Sequence, residues 1–177
     1  MSSATDPLSP KSLTDIVTRL SLAGILAGIV TKIHLAFQLN IHWDEFYFLS
    51  RIYEYLRGGP VGVFQTFHVH LFSWLTALPF YESGQVVAGR MVMVVLAVLS
   101  SGLIYRIGRI YLNRAGAFFS VLCYFAFSNI LVHGASFRAD PLGVFLFLAA
   151  AGCRTAVIFN HSRRIRRFWL SAGRTFR

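Results

Sequence analysis

Charge is what this chain has least of. Asp, Glu, Lys and Arg make up 14% of its 177 residues, against 55% hydrophobic and 15% aromatic. With a mean hydropathy of +0.58, this exceeds what the core of a soluble domain of this length requires. Cysteine is nearly missing too. Cys123 and Cys153 fall in apolar stretches, where a thiol packs as a small hydrophobe, so no disulfide framework is expected. Met1 to Pro10 lacks a basic n-region, and no small-residue cleavage site closely follows the first apolar stretch, which therefore reads as an uncleaved anchor. There is no nucleotide-binding fingerprint, which argues against a soluble nucleotide-sugar enzyme. No internal repeat or low-complexity linker divides residues 1–177, so the expectation is a single all-α membrane domain.

Apolar stretches long enough to cross a hydrocarbon core, about 20 residues as helix, run from Leu20 to Leu39, Val86 to Tyr105, Ala115 to Val132 and Pro141 to Phe159. A shorter apolar piece, about Val69 to Phe80, is bracketed by His68 and His70 at its start and by Pro79, Glu82, Ser83 and Gly84 around its end. At that length it is expected to lie at the interface or re-enter.

The formal net charge of +10 raises the question of nucleic acid, but the basic residues form short patches between apolar runs instead of one basic face. Lys11 and Arg19 precede the first span, Arg106, Arg109 and Arg114 separate the second from the third, and Arg163, Arg164, Arg166, Arg167, Arg174 and Arg177 follow the fourth. Four spans put all three patches on one side, which the positive-inside rule makes cytoplasmic. Residues 1–19 and the basic tail 160–177 are then cytoplasmic and residues 40–84 form an extracytoplasmic loop. The membrane is expected to be a bacterial plasma membrane or the endoplasmic reticulum. The terminal basic run suits anionic headgroups as well.

The outer loop opens with two adjacent acids in His42-Trp43-Asp44-Glu45-Phe46-Tyr47. Ionised carboxylates at a bilayer edge are costly unless compensated, so they read first as functional. From Trp43 to Arg57 apolar residues recur at helical spacing (Phe46, Leu49, Ile52, Tyr53, Leu56), which predicts an amphipathic helix in the headgroup region, ended by Gly58-Gly59-Pro60. The acids fall at its start, where the helix dipole favours negative charge, and a capping role for Asp44 is the alternative.

The turn His133 to Pro141 comes out on the same face. Pro141 suits the first turn of the next helix and Asp140 its N-cap, so Asp140 reads equally as cap and as site residue. Arg90 and Lys32 are two cations near the same outer cavity; Lys32 is expected to snorkel to the headgroups. His68 and His70 with Asp44 or Glu45 suggest a divalent metal only weakly, for want of a third ligand at a recognised interval. Hydrogen bonding to phosphate or sugar is the more economical use of the histidines, and no cofactor is expected.

This ordered series, a first span, an outer acidic pair, Gly58-Gly59-Pro60, Phe67-His68-Val69-His70-Leu71-Phe72, Arg90 in the next helix and Ser136-Phe137-Arg138-Ala139-Asp140-Pro141-Leu142, resembles the N-terminal part of the GT-C membrane glycosyltransferases. The likeness is to the group containing protein O-mannosyltransferases, the lipid A aminoarabinose transferase and bacterial lipopolysaccharide sugar transferases, and covers roughly Ile33 to Ala156. It implies an inverting transfer of a sugar from a polyprenyl-phosphate donor to a hydroxyl of a glycan, lipid or protein acceptor on the extracytoplasmic face. Asp44 would be the general base, Glu45, His70 and Asp140 would orient substrate groups, and Arg138 or Arg90 would balance charge on the departing phosphate. Members of the group are generally far longer, with further spans completing the donor groove. The alternatives that this leaves are an inactive truncated remnant, a subunit that needs a partner, and a non-catalytic assembly or lipid-binding protein.

Overall fold

The computed structural model describes residues 10–60 and 66–172, and these are helical with no strand. The helices are α1 (Pro10–Gln38), α2 (Trp43–Leu56), α3 (Thr66–Phe72) running into a 3₁₀ turn (Ser73–Ala77), α4 (Glu82–Tyr111), α5 (Arg114–Ala126), α6 (Ser128–His133) and α7 (Asp140–Ala172). Two of them, α1 and α4, are long and apolar enough to cross a membrane, and α5 is a shorter apolar helix. The expected terminal segments fall partly outside the described residues, at 1–9 and 173–177.

The long helices pack as a bundle in which α1 lies on α5, and α4 lies between α5 and α7. The α1–α5 contact is close because α1 presents Gly24 and Gly28, four residues apart. A β-carbon at Gly24 would come within 2.5 Å of Leu122, and one at Gly28 within 3.0 Å of Phe125. Small residues at this spacing let two helix backbones approach in a setting where hydrophobic exclusion from water gives no drive between them. Ser21 and Lys32 continue the same stripe and are both buried.

The stretch Ala115 to Val132 is not one continuous span. Phe127 takes an extended conformation (φ −72°, ψ 113°) and divides it into α5 and α6. A hydropathy window averages over one extended residue and cannot register such a break. Lys32 explains what the break accommodates: its ammonium donates to the carbonyl of Ile130 in α6. It does not snorkel to headgroups as the sequence suggests, because it lies on the packing stripe of α1.

The outer loop is a packed layer over one end of the bundle. As expected, α2 is amphipathic, and its Leu49 and Ile52 join Val69, Phe72, Leu75, Val86, Met93, Phe137 and Leu142 in the core of that layer. Phe46 and Leu56, which the spacing assigns to the same face, are exposed. The piece Val69 to Phe80 forms α3 and the 3₁₀ turn and packs Val69, Phe72 and Leu75 into the same core as α2. Phe137 is seated directly on α4 at Gly89, where a β-carbon would meet its ring at 2.5 Å.

Candidate functional site

The loop layer is fixed to the bundle by one buried ion pair. α1 ends with its last carbonyls unsatisfied and at negative partial charge, while α2 begins with unsatisfied N–H groups at positive partial charge. Arg90 of α4 meets the first end: Nη1 donates to the carbonyls of Ala36 (3.1 Å) and Leu39 (2.8 Å), and Nη2 to that of Asn40 (3.2 Å). Glu45 meets the second, with Oε2 accepting from the His42 N–H at 3.0 Å. The two close on each other through Nε to Oε1 at 2.8 Å and Nη2 to Oε2 at 2.6 Å. The Phe137 N–H donates to Oε1 at 2.7 Å and brings in the loop before α7.

Both side chains are 1% exposed. Burial pushes the Glu45 carboxyl up, and the hydrogen bonds from Arg90, from the His42 and Phe137 N–H groups, and the charge of Arg90 outweigh it, so the group is held below the usual carboxylate range. All four lone-pair directions of Glu45 are engaged, although the residue is among those lining a small cavity beside Asp44. The acid pair thus divides its labour: Glu45 points inward and Asp44 points out.

Asp44 is 21% exposed; its Oδ2 lies 3.4 Å from Nη2 of Arg138, as an ion pair, and 3.7 Å from Nδ1 of His42. Arg138 in turn reaches Asp140 through Nε at 3.5 Å. The two acid-bearing turns therefore meet at one guanidinium. Asp140 is the first residue of α7, one position inside its expected N-cap place, and its carboxylate is directed at Arg138. On one side of Arg138 lies a cavity of about 180 Å³ that includes Asn40, His42, Asp44 and Ser136. On the other lies one of about 340 Å³, mostly apolar, walled by Ala97, Tyr124, Phe127, Pro141 and Val144 with Asp140 at its edge.

The remaining candidates lie elsewhere. Arg90 is buried behind Glu45 with its donors spent on carbonyls and carboxylate. His70 is exposed and packs edge-on to Tyr55 at 4.7 Å, lining neither cavity. His68 is 5% exposed and ringed by Phe48, Phe72 and Phe137 at 4.8, 4.8 and 5.0 Å. Neither of its ring nitrogens has a hydrogen-bond partner among the described residues. His133, which sequence reasoning passed over as a turn residue, lines both cavities together with Arg138.

His68 carries a pH prediction. Burial lowers its imidazole from the ordinary 6.5 to about 4, so the unfolded chain binds a proton there that the folded chain refuses. Stability is then complete above pH 6.5 and falls as pH drops toward 4, by ~1.4 kcal/mol per unit as an upper figure. The contribution of Glu45, whose carboxyl is held low, is lost only as pH falls through and below the ordinary carboxylate value of 4.5, beneath the span from 6.5 to 5. A His68→Phe variant is expected to flatten melting temperature against pH between 6.5 and 5; an unchanged acid slope would refute the assignment.

Residues 67–176 match the sequence model of a family described as dolichyl-phosphate-mannose-protein mannosyltransferase. No curated protein and no solved structure gives a significant match. The matched stretch contains Arg90, Arg138 and Asp140 but not Asp44 or Glu45. The fold supplies the connection, since Arg90 holds Glu45 and Arg138 holds Asp44.

Proposed function

Because the chain belongs to the dolichyl-phosphate-mannose-protein mannosyltransferase family, whose members are membrane glycosyltransferases of the GT-C type, we propose that it moves a sugar from a polyprenyl-phosphate donor to an acceptor hydroxyl at the pocket around Arg138. The observation that carries this reading is the convergence of Asp44, Arg138 and Asp140 where two cavities meet, one lined by Asp44 and the other by Asp140. A hydroxyl nucleophile needs a proton acceptor and a phosphate leaving group needs a cation. Asp44 and Arg138 are these two groups within one ion pair.

In the proposed step the acceptor oxygen attacks the anomeric carbon, its proton passes to Asp44, and the bond from that carbon to the phosphate oxygen breaks. The electron pair leaves with the phosphate, where Arg138 meets the new charge. A single displacement inverts the anomeric centre. Of the two arginines that the resemblance offers for this role, Arg138 is favoured because it lines both cavities, whereas Arg90 is sealed beneath Glu45. Glu45 is then a positioning residue, and His70 has no part in the pocket.

The proposed topology is supported by α4. Arg90 is separated from Arg106 and Arg109 by 16 and 19 residues of this helix, a rise of about 24 to 29 Å at 1.5 Å each, and Arg114 follows just beyond its end. Placing those arginines in the cytoplasm puts the pocket on the opposite, extracytoplasmic or lumenal side. The chain then has four crossings, counting α5 with α6 as one and α7 as the last, and both termini are cytoplasmic.

The test is transfer of labelled mannose from dolichyl-phosphate mannose to an acceptor peptide or glycan by the chain reconstituted in liposomes. Activity is expected, and Arg138→Gln is expected to lower the rate about 10²-fold, in line with removal of one charge-stabilising donor. If neither transfer nor donor binding is found, the reading fails.

A further inference from the structure

Two basic residues, His133 and Arg138, wall both cavities. The chain between them folds back on itself: the N–H groups of Gly134, Ala135 and Ser136 donate to the carbonyls of Ile130, Val132 and His133. Lys32 anchors the same turn from behind, through the Ile130 carbonyl. Side chains five positions apart thereby reach one partition. Arg138 is engaged there by Asp44 and Asp140, whereas the exposed His133 imidazole has no hydrogen-bond or ion-pair partner among the described residues.

Counting charges shows what His133 is placed to supply. At the partition Asp44 and Asp140 face the guanidinium of Arg138, while Glu45 and Arg90 cancel each other. The balance is negative before any ligand arrives. A phosphodiester adds a further negative charge, and like charges gathered in a partly enclosed site repel. Transfer does not relieve this, because the phosphate gains a charge as the sugar leaves while Asp44 loses one by taking the acceptor's proton. A second cation is wanted from the moment the donor enters.

The groups around His133 narrow the choice. Tyr124 of α5 carries no charge near neutral pH, Lys32 of α1 lies behind α6 and walls neither cavity, and His42 stands beside Asp44 in the smaller cavity, not the larger. Imidazole is the side chain that gains a charge near neutral pH. We propose that His133 is the second phosphate-binding residue of the pocket, taking up a proton as the donor enters so that imidazolium and guanidinium hold the phosphate together. This rests on the reading of the pocket as a sugar-transfer site and deepens it: donor binding is coupled to proton uptake.

Proton uptake is a readout that a structural role for His133 would not give. The probe is mannosyl farnesyl phosphate, a phosphodiester whose single charge does not titrate near neutral pH, bound to the full chain in phosphatidylcholine nanodiscs. Calorimetry in buffers of different ionisation enthalpy measures the protons taken up. Roughly half a proton per ligand is expected near pH 7, with affinity falling about fivefold from about pH 6 to 8, the worth of a partly exposed ion pair. His133→Gln should bind without uptake or pH dependence, about fivefold weaker than the unaltered protein at about pH 6. His133→Lys, charged throughout, should also bind without uptake but keep its affinity at about pH 8.

Uptake that persists in His133→Gln overturns the proposal. Its loss in His42→Gln assigns the proton to the smaller cavity and overturns it too. Binding without uptake in the unaltered protein refutes it and leaves the sugar-transfer reading standing, whereas absence of probe binding in every variant removes both. Phosphatidylglycerol nanodiscs are the remaining arm. Competition with the probe that disappears in His133→Gln would give the two cations to bulk anionic lipid, and overturn the sugar donor as their ligand.

Discussion

Asp44→Asn is expected to abolish sugar transfer nearly completely, by roughly 10³-fold in turnover, the range over which a positioned general base acts. Asparagine preserves the shape of the side chain and its place in the first turn of α2, but its amide cannot take a proton. The loss should fall on turnover, with donor binding retained. Asp44 is partly exposed and its contacts to Arg138 and His42 are at 3.4 and 3.7 Å, so the substitution should leave thermal stability within about 0.5 kcal/mol. Initial rates of mannose transfer in proteoliposomes, with melting temperature as the control, decide the matter. Activity within tenfold of the unaltered protein would remove Asp44 from the chemistry.

Arg90→Leu is expected to have the largest effect on stability. Removing one partner of a buried ion pair costs ~3–5 kcal/mol, because the other charge is left uncompensated. Against the 5–15 kcal/mol typical of folded domains that is a major fraction. Many buried pairs can be replaced by two apolar side chains at little cost, but this one should not behave so. Arg90 satisfies the carbonyls of Ala36, Leu39 and Asn40, and Glu45 the N–H groups of His42 and Phe137. A Glu45→Leu/Arg90→Leu double variant strands all of them. Thermal unfolding in detergent, followed by circular dichroism, should show the double variant no more stable than Arg90→Leu; recovery to the unaltered midpoint would show that the pair is only an ion pair.

Much of this site is visible along the chain, and its failures are instructive. The acid pair, Arg90, Arg138 and Asp140 are charged residues beside apolar runs, so their cost marks them, and α2 is visible from its 3.6-residue period. What stays hidden is which way each charge points. Asp44 and Glu45 are adjacent, hence about 100° apart on a helix, and only the position of Arg90 decides which is buried. Lys32 was misplaced for a reason present in the sequence. Ser21, Gly24, Gly28 and Lys32 share one face of α1, and the small residues at 24 and 28 mark that face as the packed one. The break at Phe127 has no proline or glycine beside it and leaves no local signal. His133 carries no mark along the chain; only the shape of the two cavities distinguishes it.

The cluster around Glu45 also bears on how the protein is made. Its partners lie 45 residues downstream at Arg90 and 92 downstream at Phe137. A chain synthesised from its N-terminus must therefore hold an unmatched acid at the membrane edge until α4 is inserted, and must leave its final amide donor unmet until the turn before α7 has emerged. Ribosome-bound intermediates halted between these points should be recognisable to the quality-control machinery, and the pocket is complete only once that turn has emerged.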